Sequence, residues 1–223
     1  METDELKKAL LRRRSKTPVP AKDLLSSGST LLNLACTGKH QGAFVPGRYY
    51  LLVGDSASGK SFLTLTCFAE ACMNKRYKDY RLVYDNSEAG ADMDWEAFFG
   101  KECKKRVETV CSASVEEFYY RLDDLAQGKV PYIYVLDSMD ALTTGDEEDK
   151  FQEHKTAFEK GKQATGSYGT SKAKMNSSSL RVVRNDLEKT GSILIVVSQT
   201  RDKLDFGFEK KTRAGGHALR FYA

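Results

Sequence analysis

Five short runs of apolar residues recur along the chain, and longer stretches with helical spacing separate them. The runs predict strands at 48–53, 81–84, 107–111, Tyr132–Leu136 and 192–197. The stretches between them predict helices at 60–74, 92–101, Val115–Gln127 and 174–189. Strands that alternate with helices are typical of a parallel sheet. Because every position of YIYVL and ILIVV is apolar, these strands should be covered on both faces. The predicted fold class is therefore α/β, with a mostly parallel central sheet flanked by helices.

Three segments depart from this alternation. Residues 3–14 predict a short charged helix within an N-terminal segment, 1–22, that ends in a proline-containing linker, and 23–223 form the predicted core. The segment 143–179 is poor in apolar residues and rich in Gly, Ser and Lys in its second half, so we expect it to be mobile without a ligand. A second loop, 201–216, precedes the last apolar run. Long segments of this kind in compact domains are usually either functional or disordered.

The composition restricts the class of protein. The chain has 223 residues, of which 40% are hydrophobic and 30% charged, and this supplies one sizeable core. No stretch approaches the ~18 consecutive apolar residues of a membrane-spanning helix, and no apolar segment of a signal peptide follows the charged N-terminus. The five cysteines include no C-x-x-C pair. We therefore expect a cytosolic protein with free thiols and no membrane partner.

The charge distribution is more informative than the net charge of +4. Residues 146–149 are an unbroken acidic run, whereas 164–184 contain no acidic residue. The basic residues of that second stretch are Lys172, Lys174, Arg181 and Arg184. Such a run is either an ordinary solvated face or a binding surface, and the charges alone do not separate the two.

The segment 54–61, GDSASGKS, fits G-x-x-x-x-G-K-[ST] at every position, between a predicted strand and a predicted helix. The glycines let backbone N–H groups wrap phosphates, Lys60 reaches the outer phosphates and Ser61 is a ligand for Mg²⁺. The motif predicts a nucleoside triphosphate site. Its residues are Gly54, Asp55, Ser56, Ala57, Ser58, Gly59, Lys60 and Ser61.

Polar side chains follow three of the predicted strands. Asp137 closes Tyr132–Leu136 and is placed to support Mg²⁺, although it would alternatively cap a helix. Glu88 is the preferred carboxylate to activate a water molecule, and Asp85 is its competitor. Gln199 follows the run ILIVV and would sense the terminal phosphate, or would be an ordinary loop residue.

These motifs, in this order and approximate spacing, resemble the RecA family of recombinases, and in particular the shortened RecA-type ATPases of bacteriophages. The resemblance covers most of the chain. It rests on GDSASGKS, VLDSMDAL at 135–142, VVSQTRDK at 196–203 and AGGHALRFYA at 214–223. Many P-loop ATPases share the first two blocks, whereas the last is close to a family signature. The resemblance implies a RecA-like core that hydrolyses ATP with Mg²⁺ in the bacterial cytosol.

The resemblance also implies roles for individual residues. Glu88 would activate the attacking water beside Lys60, Asp137 would support Mg²⁺, and Gln199 would couple the γ-phosphate to the loop behind it. Two further residues, Asp92 and Trp95, would contact adenine. Core packing is the other interpretation of Trp95.

The two loops would bind DNA, since the insertion 146–181 corresponds to the first DNA-binding loop of the family and 201–216 to the second. Single strands are bound by cations that follow the backbone and by side chains that stack on bases, and these loops supply both types. Phe206 and Phe208 would alternatively fold back on the domain or contact a neighbouring subunit. The predicted DNA-binding residues are Lys172, Lys174, Arg201, Lys203, Leu204, Phe206, Phe208, Lys210, Lys211, Arg213, Gly215 and Gly216.

The function implied is a DNA-dependent ATPase that assembles into filaments on single-stranded DNA and pairs it with homologous duplex DNA in recombination and repair. Arg220 and Phe221 resemble positions that contact the adjacent subunit of such a filament. A ring-forming helicase with the same core is one alternative, and a nucleotide-switched annealing scaffold with little hydrolysis is another. The family continues with further strands after the Phe-Tyr pair, so we expect a fragment or a minimal variant whose sheet has an exposed edge.

Overall fold

The computed structural model describes residues 19–88, 93–161, 171–202, 211–213, 218–221 and 223, and only the backbone at 201, 202, 211–213, 218 and 221. Its strands are β1 (Arg48–Gly54), β2 (Arg81–Asp85), β3 (Val107–Val110), β4 (Tyr132–Leu136), β5 (Ile193–Asp202) and β6 (Lys211–Arg213). Its α-helices are α1 (Thr30–Thr37), α2 (Lys60–Met73), α3 (Trp95–Phe99), α4 (Lys101–Arg106), α5 (Val115–Gln127), α6 (Gly145–Glu159), α7 (Ser171–Thr190) and α8 (Ala218–Phe221). None of these helices is both long enough and apolar enough to cross a membrane.

Five of the strands form one parallel sheet in the order β1-β5-β4-β2-β3. The predicted α/β fold class is therefore confirmed. Gly54 at the end of β1 pairs with Gln199 of β5, and Leu136 at the end of β4 pairs with Val196 of β5 and Asp85 of β2. The carboxyl ends of these strands consequently lie at one edge of the sheet, where ligands bind in open α/β folds.

Strand β4 explains how one sheet supports two cores. Tyr132, Tyr134 and Leu136 belong to an apolar cluster that includes buried side chains of α5 and α7. Ile133 and Val135 point to the opposite face and join a second cluster with α2. Both faces of β4 are buried, so every one of its side chains packs in one core or the other. This is why its sequence is apolar throughout.

Helix α5 and strand β4 have the predicted bounds, and the other predicted strands and the helices predicted at 60–74 and 174–189 are found with shifted ends. The single helix predicted at 92–101 was wrong, because Gly100 divides this stretch into α3 and α4. Helix α1 was not predicted. Ser29 caps its N-terminus by accepting a hydrogen bond from the N–H of Leu32, and Gly38 ends it with a positive φ of 68°. Its apolar side chains are largely exposed, 80% in the case of Leu31, and its buried residue is the polar Asn33, so it has no buried apolar face of the kind that amphipathic periodicity detects.

The prediction of a loop at 143–179 was wrong for α6 and for the start of α7. Thr144 and Glu147 form a capping box, in which each side chain accepts a hydrogen bond from the other residue's N–H, and Gly161 follows the helix with φ 65°. Helix α6 buries none of its side chains, so the apolar periodicity used for prediction is absent. Its cap and the acidic residues of its first turn stabilise it instead. Residues 162–170 lie outside the described part of the chain.

The second predicted loop, 201–216, begins as regular structure. Strand β5 continues to Asp202, beyond the predicted end at 197, and its last residues pair antiparallel with β6. This hairpin positions the backbone of Arg201 opposite Thr212. Residues 203–210 and 214–217 lie outside the described residues, as does the predicted helix 3–14, and the division at residue 22 stays a prediction.

Candidate nucleotide-binding site

The loop 55–59 joins β1 to α2 in a conformation that glycine makes accessible. Gly59 has φ 82°, in the left-handed region that disfavours other side chains, and Ala57 also has a positive φ, 58°. A Cβ atom on Gly54 would lie 3.0 Å from Oγ of Ser58, so the loop also approaches the end of β1 closely. Successive N–H groups of such a loop, at the start of a helix, form a concave site for anions.

Two contacts hold the loop in place. The ammonium group of Lys60 donates a hydrogen bond to the carbonyl oxygen of Asp55 at 2.6 Å, so it lies back over the loop. The hydroxyl of Thr200 donates to the carboxylate of Asp55 and connects the loop to β5. The phosphate motif is thus tied to the neighbouring strand on the side where Gln199 lies.

A cavity of about 260 Å³ opens above the loop at the carboxyl edge of the sheet. It contains all five predicted catalytic and metal-binding side chains, together with Phe62 and Met93. The lining residues are Ser56, Ala57, Ser58, Gly59, Lys60, Ser61, Phe62, Glu88, Met93, Asp137 and Gln199.

Asp137 and Ser61 form an oxygen pair at the floor of this cavity. Asp137 follows β4, is only 2% exposed, and accepts a hydrogen bond from the hydroxyl of Tyr84 at 3.3 Å, while the hydroxyl of Ser61 lines the same cavity close enough to lower its pKa. Burial raises the pKa of Asp137, the hydroxyl of Ser61 opposes this, and the nearby charge of Glu88 raises it further. A carboxylate and a hydroxyl at the carboxyl end of a buried strand are suitable donors for Mg²⁺.

The carboxylate of Glu88 is held by side chains from two other elements. Its Oε1 atom accepts a hydrogen bond from Ser138 Oγ at 2.5 Å and another from Gln199 Nε2 at 2.9 Å. The N–H of Glu88 also donates to the carbonyl oxygen of Asp137 at 3.0 Å, and the N–H of Gln199 donates to the carboxylate of Asp140 at 2.8 Å. Sequence reasoning predicted Glu88 and Gln199 separately, and the structure connects them directly.

Asp85, the competing carboxylate, has a different environment. It is fully buried and accepts three hydrogen bonds, from the N–H of Ser112 at 2.8 Å, the hydroxyl of Ser112 at 2.6 Å and the hydroxyl of Tyr134 at 2.5 Å. It does not line the cavity. This geometry favours Glu88 over Asp85 as the residue that contacts a reacting water.

Trp95, a predicted adenine contact, packs on the second core instead of lining the cavity. Its ring centroid lies 5.6 Å from that of Tyr84 and 5.4 Å from that of Phe99. Phe62 lines the cavity, is 43% exposed, and forms an edge-to-face pair with Phe98 at 5.7 Å. The sequence analysis did not single out Phe62, although its position directly after the phosphate motif was an available signal. Asp92 lies outside the described residues.

The predicted DNA-binding residues are described only in part. Lys172, in the first turn of α7, is half-buried and donates to the carbonyl oxygen of Leu142, so its charge faces the core, whereas Lys174 is exposed. The backbones of Arg201, Lys211 and Arg213 lie in the β5–β6 hairpin. The residues outside the described part of the chain are Lys203, Leu204, Phe206, Phe208, Lys210, Gly215 and Gly216.

The residues predicted to contact a neighbouring subunit lie in α8. Arg220 is exposed, and the backbone of Phe221 ends the helix. Leu219, which precedes them, is fully buried in the first core, so α8 is anchored to the domain by the side chain of Leu219 and exposes that of Arg220 to solvent.

Comparison with known proteins places the chain in a family. Residues 4–223 match the model of the RecA N-terminal domain. Protein RecA of Mesoplasma florum is 27% identical over 202 residues, which are 90% of this chain and 55% of the relative. Protein RecA of Parasynechococcus marenigrum is 29% identical over 203 residues, 90% of this chain and 48% of the relative. The chain therefore spans about half the length of the curated relatives it matches.

Proposed function

The chain belongs to the RecA family, and from that membership we propose that it binds ATP with Mg²⁺ in this cavity and hydrolyses ATP faster when it assembles on single-stranded DNA. The observation that carries the proposal is the meeting of three features at one edge of the sheet. These are the phosphate loop, the Ser61–Asp137 oxygen pair, and a carboxylate, Glu88, held by Gln199.

Ser61 and Asp137 fit the ligand preference of Mg²⁺, which takes oxygen ligands, keeps several waters and shares phosphate oxygens of the nucleotide. Among the described residues there is no cluster of three or more His, Cys, Asp or Glu side chains that would bind a metal without a nucleotide. The bound ion would neutralise charge on the phosphates. We assign Ser61 to its coordination and Asp137 to its outer shell.

Hydrolysis would use side chains that are already oriented. Because Ser138 and Gln199 both donate to one oxygen of Glu88, the carboxylate is fixed before a substrate binds, and it would accept a hydrogen bond from the attacking water. Lys60 would exchange the carbonyl of Asp55 for phosphate oxygens. The backbone N–H groups of the loop would stabilise the charge on the transferred group.

The adenine base of the nucleotide would contact the two large apolar side chains of the cavity, Phe62 and Met93. An exposed aromatic ring beside the phosphate loop offers a face or edge for stacking. Trp95 would support this surface from behind through Phe99, which also packs on Phe62 at 5.4 Å.

Gln199 connects the nucleotide to the predicted DNA loop. It follows the buried part of β5 and donates a hydrogen bond to Glu88. Three residues later β5 ends at Asp202, which pairs with Lys211 of β6. A change at Glu88 on hydrolysis would therefore be transmitted along β5 to Arg201 and Lys211. We propose single-stranded DNA and a homologous duplex as the partners, with subunits joined in a filament through Arg220 and Phe221.

One experiment tests the site and the partner together. We expect the rate of ATP hydrolysis to rise at least tenfold when a long single strand is added, with large assemblies detected by light scattering and filaments of variable length in electron micrographs. Lys60→Ala should abolish nucleotide binding while circular dichroism stays unchanged. Lys75→Ala, at an exposed lysine outside the cavity, is the matched control.

Other outcomes would redirect the assignment. Rings of fixed size would identify a helicase-like motor, and nucleotide binding without DNA-stimulated turnover would identify a scaffold. Unchanged ATP affinity in Lys60→Ala would contradict the assignment of the site itself.

A further inference from the structure

Two cysteines outside the nucleotide cavity lie against each other. Cys72 is the next-to-last residue of α2, and Cys103 lies in α4. Both pack in the second core, where Cys103 is fully buried and Cys72 is half-buried, and each side chain lies close enough to the other to shift the pKa of its thiol. Helices α2 and α4 thus bring two cysteines together in one core.

A fixed cation lies beside the pair. The guanidinium group of Arg106, three residues after Cys103, donates to three backbone carbonyl oxygens, those of Tyr77 at 2.8 Å, Lys78 at 3.0 Å and Tyr80 at 3.2 Å. These bonds hold Arg106 in place, and its charge lies close enough to Cys72 to lower the pKa of that thiol. A thiolate at Cys72 would therefore face a positive charge that has no freedom to move away.

The two thiols have unequal reactivity. The pKa of Cys72 is lowered to about 7, first because Cys103 donates a hydrogen bond to it and then because Arg106 is close, while burial and Glu102 oppose the shift. The same hydrogen bond and burial raise the pKa of Cys103. This is the arrangement of a half-buried nucleophile with a fully buried resolving thiol.

The other cysteines are in different surroundings. Cys67, on α2, is fully buried, burial raises its pKa, and its sulfur lies 3.8 Å from the carbonyl oxygen of Leu63 in its own helix. Cys36 and Cys111 are exposed. The contact between thiols and the adjacent cation distinguish Cys72 and Cys103 from these three.

We propose that Cys72 and Cys103 form a reversible disulfide when the protein meets a peroxide. The Cys72 thiolate attacks one oxygen of hydrogen peroxide, the O–O bond breaks, and the other oxygen leaves and is protonated to water, which leaves a sulfenic acid on Cys72. The sulfur of Cys103 then loses its proton, attacks the sulfenic sulfur and displaces the hydroxyl group as a second water. Two thiols lose two electrons and two protons, and a dithiol reductant returns them.

Peptide mapping tests the proposal on a folded protein whose exposed cysteines are removed by Cys36→Ser and Cys111→Ser. After treatment with hydrogen peroxide, alkylation of free thiols and tryptic digestion, we expect peptides 61–75 and 102–104 to be linked, with a mass two hydrogens below their sum. Fragmentation should place the bond at Cys72. A bond at Cys67, or no linked peptide, would overturn the proposal. The same oxidation in urea is the control, because the preference for this pair should disappear when the chain is unfolded.

Two variants test the order of the steps. In Cys103→Ser no resolving thiol remains, so peroxide should leave a sulfenic acid on Cys72 that dimedone labels. In Cys72→Ser, Cys103 should remain unlabelled and alkylate slowly. If dimedone labelled Cys103 in Cys72→Ser at the same rate as it labels Cys72 in Cys103→Ser, the assigned roles would be contradicted. If Cys103→Ser does not fold, the mapping experiment and Cys72→Ser still decide the question.

Discussion

At the scale of residues, one carboxylate oxygen connects the parts of the cavity. Oε1 of Glu88 accepts hydrogen bonds from Ser138, after β4, and from Gln199, in β5. Three segments distant in sequence therefore determine the orientation of one group. Such an arrangement lowers the cost of positioning a water for attack, because the carboxylate loses little freedom when substrate binds.

Glu88→Gln should separate an enzyme from a nucleotide-binding scaffold. The amide oxygen of glutamine still accepts from Ser138 and Gln199, so the fold and the affinity for ATP should be retained, whereas turnover should fall by a factor of about 100 or more because the base is lost. Single-turnover hydrolysis and equilibrium binding of ATP measure the two effects. Glu153→Gln, at an exposed residue of α6, is the matched control. Full activity in Glu88→Gln would remove this residue from the chemistry.

Asp137→Asn should make the protein more stable without nucleotide. The pKa of Asp137 is raised in the folded state, so its charged form disfavours folding, and this penalty is complete at pH values above the folded pKa. We expect the free energy of unfolding at pH 7 to rise by roughly 1 kcal/mol. The gain should shrink as the pH falls toward the ordinary pKa of aspartate, because the wild-type carboxyl group becomes protonated. Denaturant titrations across this pH range measure it, and a gain that grows in acid would be incompatible with the assigned shift.

At the scale of elements, the sheet could be predicted because burial left a clear pattern, whereas the phosphate loop was predicted from its glycine and lysine motif. β4 is apolar at every position and α5 has one buried stripe, so both were found with their observed bounds. Helices α1 and α6 bury few or no apolar side chains and left no such pattern. The contact between Glu88 and Gln199 could not be predicted either, because it depends on β2, β4 and β5 lying side by side in the sheet.

Thr144→Ala should loosen α6 with little effect on the rest of the molecule. The substitution removes one half of the capping box, which is worth about 1 kcal/mol, and α6 has no buried side chain to compensate. We expect amide hydrogen exchange in the first turn of α6 to become about five times faster, while β4 and β5 stay unchanged. Thr156→Ala, at an exposed position of the same helix, is the control. Equal exchange in the two variants would mean that the cap does not hold the helix.

At the scale of the whole molecule, the small net charge hides an uneven distribution. The basic residues that we propose for DNA binding occur in two segments, of which one begins at Arg201, two residues after Gln199 in the lining of the nucleotide cavity. The nucleotide would then bind beside Gln199, and DNA would bind to the residues that follow it from Arg201 onward. This continuity is the physical basis for the proposed stimulation of hydrolysis by DNA.

The combined variant Lys210→Ala and Lys211→Ala should weaken binding to single-stranded DNA and lower its dependence on salt. If each lysine neutralises one phosphate, the slope of log K against log salt should become shallower by about 1.4. Fluorescence anisotropy of a labelled oligonucleotide at several salt concentrations measures this slope. Lys75→Ala with Lys78→Ala removes two exposed lysines outside both loops and should leave it unchanged. A slope equal to that of the wild type would exclude these lysines from the interface.

The aromatic contacts behind the cavity have an optical consequence. Trp95 is the single tryptophan of the chain, and its ring lies against Tyr84, whose hydroxyl donates to Asp137. Indole emission therefore arises from one position, one side chain removed from the proposed metal site. Occupation of the cavity would alter the surroundings of that indole, so the unlabelled protein carries its own fluorescent reporter of the nucleotide it holds.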